Sequence, residues 1–242
     1  MVPAAMAARA AAGKPNRPEW IMASSTVENY LKQIYLEQQS AGFGELVPMG
    51  KLATAMGVVP GTATSMIKAL ADSGLVTYEP RGGARLTRGG EQLALHVLRR
   101  HRLVESFLVK VLGLDWSEVH AEAEELEHAI SDKVLERIDA LLERPRVDPH
   151  GDPIPPAKGK PIDVAHRSLA TCELRKRVRV ARILDQNPSF LQFVDRCGLT
   201  PGAELMVESR DPNAAAVVVK PQGGSSVTFG IDAAAKVLVE PL

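Results

Sequence analysis

The first half of the chain carries apolar residues at helical spacing. Capping residues at 24–26 precede an apolar stripe over 27–35, which predicts a first helix. Shorter stripes over 49–56 and 62–70 predict two more helices, and Gly57 ends the earlier of them before a tight turn. Two short helices joined by a brief turn are what a helix-turn-helix requires.

A β-hairpin is predicted after the third helix. The runs 75–78 and 84–87 are rich in strand-forming residues and flank a turn sequence at 79–83 that contains Pro80 and two glycines. Thr87 is then placed to cap a long helix over 88–112. The pattern up to residue 95 therefore predicts a winged helix-turn-helix.

The second half of the chain changes from helical to β-type patterning. Residues 115–118 have the spacing of a capping box and predict a helix that runs to about Ile130, and Ser131 begins another that ends at Pro145. The prolines between 145 and 170 exclude a regular element and indicate an ordered loop followed by a linker. Beyond residue 171, short β-type runs alternate with Gly and Pro turns, which is typical of a small barrel.

Composition and charge narrow the class of protein. The chain is 45% hydrophobic and 24% charged with a formal net charge of +0, so affinity for DNA must come from local placement of Lys and Arg. No apolar run approaches the roughly 20 residues that cross a bilayer, so we expect no membrane association. Cys172 and Cys197 are far from CxxC spacing and no convincing signal peptide is present, which favours the cytoplasm. Residues 1–23 are Ala-rich without two-sided periodicity and are interpreted as a mobile extension, with Met22 as an alternative start.

The strongest chemical signal is a set of four residues, His120, Glu124, Glu127 and His128. Their spacing puts two imidazoles and two carboxylates along one helical stripe. His101 and Glu105, four residues apart on the preceding long helix, could chelate or face the same site. Nitrogen and oxygen ligands suit Mn²⁺, Fe²⁺, Co²⁺, Ni²⁺ or Zn²⁺, whereas a structural Cys-rich zinc site is disfavoured. The alternative is that these are ordinary surface residues of amphipathic helices.

Candidate DNA contacts lie on the third predicted helix and in the wing. Small hydroxyls can reach base edges or phosphates, and Lys and Arg can neutralise phosphates. The candidates are Thr62, Thr64, Ser65, Lys68, Arg81 and Arg85. One winged helix reads few base pairs, so a homodimer on a palindromic double-stranded operator is expected.

Two other classes of function remain open. Glu125-x-x-His128 superficially matches the helical motif of di-metal carboxylate enzymes, but no second such motif is found on another predicted helix. A metal-independent winged-helix DNA-binding or adaptor protein is the other alternative. We expect no enzymatic activity and no small organic substrate.

The order of these features resembles the diphtheria toxin repressor family of iron- and manganese-dependent regulators, over residues 24–242. The resemblance rests on three stretches: Glu28-Asn29-Tyr30-Leu31-x-x-Ile34-Tyr35, Arg100-His101-Arg102-Leu103-Val104-Glu105, and Val119-His120-x-x-Ala123-Glu124-x-x-Glu127-His128-x-x-Ser131-Asp132.

The resemblance implies a fold that is mainly α with β. It divides the chain into the extension 1–23, a winged helix-turn-helix at 24–95, a helical metal-binding and dimerisation domain at 96–148, a Pro-rich loop and linker at 149–172, and a C-terminal SH3-like (FeoA-like) β-barrel at 173–242. It also implies a cytoplasmic repressor that controls metal homeostasis genes when it is loaded with metal.

The resemblance further implies two metal sites. The primary ligands would be Asn29, Glu124, Glu127 and His128. The ancillary ligands would be His101, Glu105, His120 and Asp185. Iron-type members carry Cys where this chain has Glu124, so the harder oxygen ligand favours Mn²⁺ over Fe²⁺, with Zn²⁺, Co²⁺ or Ni²⁺ as substitutes in vitro. Manganese-type members carry acids where Asn29 and Lys32 stand, so a binuclear site of that type is not expected.

Overall fold

The computed structural model describes residues 24–42, 44–159 and 164–242. The helices are α1 (Ser25–Ala41), α2 (Met49–Ala55), α3 (Pro60–Asp72), α4 (Arg88–Lys110), α5 (Val119–Glu127), α6 (Asp132–Leu141), α7 (Pro188–Arg196) and α8 (Ile231–Ala235). The strands are β1 (Val76–Glu79), β2 (Gly83–Leu86), β3 (Arg167–Ser168), β4 (Arg177–Ile183), β5 (Glu204–Asp211), β6 (Ala216–Pro221), β7 (Val227–Gly230) and β8 (Val237–Pro241). The predicted extension 1–23 and part of the predicted linker, residues 160–163, lie outside the described residues.

The winged helix-turn-helix forms as the pattern predicts. Ser24 caps α1 by accepting a hydrogen bond from the backbone N–H of Val27, and Thr87 caps α4 through the N–H of Gly90. Strands β1 and β2 pair antiparallel as the wing. One core joins α1, α2, α3, the wing and the start of α4, and its fully buried members include Leu31, Ile34, Leu52, Ala63, Ile67, Ala84, Ala94 and Val97.

Helix α4 is the central support of the molecule. It packs against α1 on one side and against α5 and α6 on the other. Leu103 and Val104 anchor two smaller apolar clusters with α5, α6 and the loop after α6. His101, Arg102 and Glu105 are also buried on this helix, and buried charged groups require partners. These three side chains therefore face other charged residues rather than solvent.

The C-terminal part is one six-stranded antiparallel sheet with the order β3-β8-β4-β5-β6-β7. Register shifts between Val180 and Arg182 and between Val207 and Ser209 mark bulges, which bend strands. The apolar faces of β4, β5, β6 and β8 enclose a core together with Phe229 and the helix α7. This is the predicted SH3-like β-domain, with α7 as an element that the β-type pattern did not indicate.

The predicted capping box at 115–118 is wrong. The Asp115 carboxylate accepts hydrogen bonds from both the backbone N–H and the hydroxyl of Ser117, at 2.8 and 2.6 Å, which closes a local turn. Helix α5 begins only at Val119, and its N-cap residue Glu118 makes no side-chain capping bond. Within the described residues, no helix is both long and apolar enough to span a membrane.

Candidate metal centre and nucleic-acid interface

A buried lysine joins α1 to α5. The Lys32 ammonium donates to Glu124 Oε1 at 2.6 Å and to Glu127 Oε1 at 2.7 Å. The Lys32 and Glu127 side chains are 8% and 0% exposed, so this cation is almost completely removed from water. Two carboxylates of the predicted primary site therefore converge on one positive charge supplied by the chain itself.

His101 is held between two carboxylates. Its Nδ1 lies 2.7 Å from Glu127 Oε2 and its Nε2 lies 3.0 Å from Glu105 Oε1. Burial alone would lower the pKa of His101, but the charge and hydrogen bond of Glu105, with the hydrogen bond of Glu127, raise it to about 9. At neutral pH both ring nitrogens are therefore donors, and His101 is an imidazolium.

The carboxylates respond to the same contacts. Burial would raise the pKa of Glu105 and of Glu127, yet His101 holds the pKa of Glu105 well below its usual range. His101 and Lys32 together lower the pKa of Glu127. Positive and negative groups thus alternate through the interior, from Lys32 to Glu127, His101 and Glu105.

His120 closes this cluster toward solvent. Its Nδ1 lies 3.3 Å from Glu105 Oε1 and 3.1 Å from His101 Nε2. Ligand atoms of His101, His120 and Glu124 all lie within 4.8 Å of one another. These three residues form the first group that could hold a metal ion, and all three belong to the sets inferred from the sequence.

The second such group uses two residues that were not assigned as ligands from the sequence. Glu105, Asp148 and His150 are buried, and their ligand atoms lie within 4.8 Å of one another. His150 Nδ1 is 3.8 Å from Glu105 Oε2 and 4.0 Å from Asp148 Oδ1. Two ligands of one first-row ion are about 3.0–3.4 Å apart, so the three residues would have to move closer together around a bound ion.

Unpartnered atoms support this second group. Glu105 Oε2, Asp148 Oδ2 and His150 Nδ1 are all buried without a hydrogen bond, and unpaired buried polar atoms are costly. Arg102 Nε lies 3.5 Å from Asp148 Oδ2, which is an ion-pair distance and not a hydrogen bond. Burial, then the charges of Asp152 and Glu105, raise the pKa of Asp148 to about 8. A divalent cation would relieve the repulsion and occupy the free lone pairs, so these residues fit a metal.

The remaining primary candidates lie at the end of α5. His128 is the C-cap of α5, and its Nδ1 lies 2.6 Å from Glu28 Oε2 on α1. Arg100 contacts the other oxygen of Glu28 at 3.3 Å. Asn29 Oδ1 and His128 Nε2 are buried without a hydrogen bond. An amide oxygen and an imidazole nitrogen are both metal-ligand types, so the two atoms fit the role inferred for them.

The loop after α6 ties this centre to the C-terminal sheet. Asp152 binds Arg102 on α4, at 3.4 Å, and it pairs with Arg182 on β4. The backbone N–H of Ile183 donates to the carbonyl of His150 at 2.9 Å. A Cβ atom on Gly151 would lie 2.0 Å from the carbonyl oxygen of Ala181, so only glycine allows this approach.

Asp185 is placed elsewhere. Its carboxylate binds Lys236 at 2.8 Å and accepts the backbone N–H of Asn187 at 3.0 Å. It is not a member of either carboxylate–histidine group found among the described residues. This geometry does not support ligation by Asp185, which stays a prediction.

The residues assigned to DNA contact lie at the surface of α3 and the wing. Thr62, Ser65 and Lys68 are exposed, and Thr64 is half-buried. The hydroxyls of Thr64 and Ser65 donate to backbone carbonyls one turn earlier, at 2.8 and 3.0 Å, so they are left as acceptors toward a partner. In the wing, Arg81 is exposed in the turn, and Arg85 is 3.6 Å from Glu79.

The sequence did not indicate the role of Lys32 as an ion-pair partner, or of Asp148 and His150 as candidate ligands. The pair Asp148-x-His150 offers two ligand types at close spacing, but it stands in a Pro-rich loop whose contact with α4 is not local in sequence. Glu125, the carboxylate of the di-metal motif considered for the alternative enzyme, is exposed and belongs to neither ligand group found among the described residues. The cysteines belong to the C-terminal core or pack against it.

Fold and site together define a class: a winged-helix DNA-binding domain whose first helix also contributes to a buried carboxylate–histidine centre. The sequence matches three family descriptions: "Iron dependent repressor, N-terminal DNA binding domain" over 22–84, "Iron dependent repressor, metal binding and dimerisation domain" over 87–156, and "FeoA domain" over 167–241.

Three individual relatives are similar to this chain along nearly their whole length. The iron-dependent repressor IdeR of Mycobacterium tuberculosis is 32% identical over 232 residues, which cover 89% of this chain and 96% of the relative. A solved manganese-dependent transcriptional repressor in complex with manganese is 40% identical with a TM-score of 0.81, covering 89% of this chain and 100% of that one. ScaR with bound Zn²⁺ is 31% identical with a TM-score of 0.73, covering 89% and 99%. The chain belongs to the iron-dependent repressor family of metal-dependent DNA-binding regulators.

Proposed function

We propose that the chain is a cytoplasmic, Mn²⁺-responsive repressor that binds a palindromic operator as a homodimer and controls metal homeostasis genes. Fe²⁺ is the second candidate metal, and the protein has no catalytic role. The observation that carries the proposal is the double engagement of α1. Its apolar face lies in the core of the winged helix, and its polar face reaches the carboxylate–histidine centre.

The donor set supports a hard or borderline divalent ion. Asn29, Glu124, Glu127 and His128 would hold one ion. Glu105, Asp148 and His150, with His101 and His120 alongside, would hold another. Carboxylate, amide and imidazole donors suit Mn²⁺ and Fe²⁺. No cysteine belongs to either of the two ligand groups found among the described residues, His101–His120–Glu124 and Glu105–Asp148–His150. The similarity to a manganese-dependent repressor solved with manganese favours Mn²⁺.

The coupling route follows the contacts of α1. Glu28 binds His128 and Arg100, and Lys32 binds Glu124 and Glu127. A change in the position or charge of these partners therefore alters the contacts that hold α1. Because Leu31 and Ile34 of α1 pack in the same core as α3, a shift of α1 changes how α3 is presented. A divalent ion supplies the charge that draws the α1 and α5 ligands together. A ligand shifts such an equilibrium only by its differential affinity for the two arrangements, typically about 1–3 kcal/mol, or roughly 5- to 150-fold in operator affinity.

The test is enrichment of a random double-stranded DNA library on the purified protein with Mn²⁺, followed by footprinting on the selected sequence. The expected result is a two-fold symmetric footprint that is lost when a chelator is added. Glu127→Gln should reduce protection, whereas Glu125→Gln, the same change at an exposed position of the same helix, should leave it intact. Equal protection in the chelator would overturn the switch and favour a metal-independent winged-helix protein.

A further inference from the structure

The position of Lys32 conflicts with simple cation binding at the α1–α5 junction. Its ammonium lies 2.6 Å from Glu124 Oε1 and 2.7 Å from Glu127 Oε1. A metal ion would bind the same oxygens at about 2.0–2.2 Å. An ion placed there would be in contact with the ammonium, and the two positive charges would repel each other.

We propose that Lys32 is a tethered counter-ion that competes with the divalent metal for Glu124 and Glu127 and thereby sets the metal affinity of the primary site. This inference rests on the proposed metal-dependent function. In the metal-free protein the ammonium neutralises the carboxylate pair. Metal binding then requires the ammonium to leave.

The structure provides a place for the displaced side chain. A cavity of about 610 Å³ lies between α1, α4, α5 and β4, and Lys32 lines it together with Gln33, Gln39 and Ser40. A lysine side chain has four rotatable methylenes, so the ammonium can turn into this cavity and regain water. Asp148 and Asp152 also line the cavity, and both already face arginines.

Competition between Lys32 and the metal predicts that removal of the Lys32 charge tightens Mn²⁺ binding. Lys32→Gln keeps a polar side chain and removes the charge, so the carboxylates lose their internal partner. In the wild type, metal binding must first break the hydrogen bonds between the Lys32 ammonium and the two carboxylates. The variant lacks these bonds, so Mn²⁺ binding should be stronger by about 10- to 100-fold. The metal-free variant should at the same time melt at a lower temperature, because two carboxylates are left facing each other.

The matched control is Lys51→Gln. Lys51 on α2 also takes part in an ion pair, with Glu37 of α1 at 2.5 Å, but its side chain is 52% exposed and does not contact the carboxylates of the centre. Mn²⁺ affinity is measured for wild type and both variants by competition with a fluorescent chelator. Tighter binding in Lys32→Gln alone supports the proposal. Equal affinity in all three overturns it and leaves the metal-dependent function standing.

Other outcomes distinguish failure of the tethered counter-ion from failure of the proposed metal-dependent function. If neither wild type nor Lys32→Gln binds Mn²⁺, both the metal-dependent function and the tethered counter-ion are wrong. If Lys32→Gln binds more tightly but operator binding ignores the metal, the counter-ion stands and the proposed switch fails.

A second measurement uses only the wild type and so does not depend on whether a variant folds. Lysines are acylated briefly with and without Mn²⁺, and modification at each site is quantified by mass spectrometry. Lys32 should be protected in the metal-free protein and become several-fold more reactive with Mn²⁺, while Lys51 does not change. Unchanged protection of Lys32 at saturating Mn²⁺ would overturn the displacement.

Discussion

Replacing Glu105 by Gln tests the electrostatics of the centre. Glu105 is completely buried and contacts His101 at 3.0 Å, so Glu105→Gln removes one negative charge while nearly preserving the shape of the side chain. Glu105 is the main group that raises the pKa of His101 from 6.5 to about 9. At about 1.4 kcal/mol per pKa unit, this difference is worth up to about 3 kcal/mol of folding stability.

The sign of the pH dependence follows from the raised pKa. A histidine that binds its proton more tightly in the folded state stabilises the fold fully below pH 6.5 and loses that contribution as the pH rises through about 9. The free energy of unfolding of Glu105→Gln should therefore fall below that of the wild type by up to about 3 kcal/mol near pH 6. The gap should narrow by pH 9.5.

Urea unfolding in the presence of a chelator, repeated at intervals from pH 6 to pH 9.5, measures this gap. Glu125→Gln on α5 is the control, since Glu125 is exposed and its loss should change stability little at any pH. A gap between wild type and Glu105→Gln that stays constant over the whole range would refute the reasoning, because it would mean that His101 does not titrate against Glu105.

Three further outcomes are expected. His101 and Asp148, with pKa values of about 9 and about 8, are protonated at neutral pH, so Mn²⁺ binding at pH 7 should release protons; calorimetric heats that do not vary with the ionisation enthalpy of the buffer would contradict this. Gly151→Ala should clash with the Ala181 carbonyl and loosen the C-terminal sheet, seen as faster proteolysis between 156 and 167; an unchanged digest would count against the docking. Lys68→Ala should lower the slope of log K against log salt for operator binding by about 1, and an unchanged slope would exclude a phosphate contact.

Much of the fold could be predicted from periodicity and capping. The helices of the winged domain, the wing and the long helix α4 each have a local signal, such as the N-caps Ser24 and Thr87, and local signals are readable in one sequence. The predicted capping box at Asp115 is wrong because the carboxylate accepts hydrogen bonds from Ser117, two residues later, and does not cap the helix. Helix α7, which begins at Pro188, was missed because it is short and lies within a β-type region.

The site was predictable only where ligands share a helix or a spacing. The residues of α4 and α5 were found in this way, and the structure brings His101, His120 and Glu124 together. His150 reaches Glu105 from a loop 45 residues along the chain, a contact that no local pattern encodes. Lys32 stood out in the sequence as a departure from an acidic position, but its ion pairs with Glu124 and Glu127 depend on how α1 packs against α5.

The central claim is that the metal centre and the DNA-reading head share one equilibrium through α1. Thermodynamic linkage makes this directly measurable, because two coupled sites must change each other's affinity by the same factor. Mn²⁺ affinity is measured by competition with a chelator, with and without saturating operator DNA. The account predicts that operator tightens Mn²⁺ binding by the same factor, roughly 5- to 150-fold, by which Mn²⁺ tightens operator binding. Mn²⁺ affinity that is identical with and without DNA would contradict it.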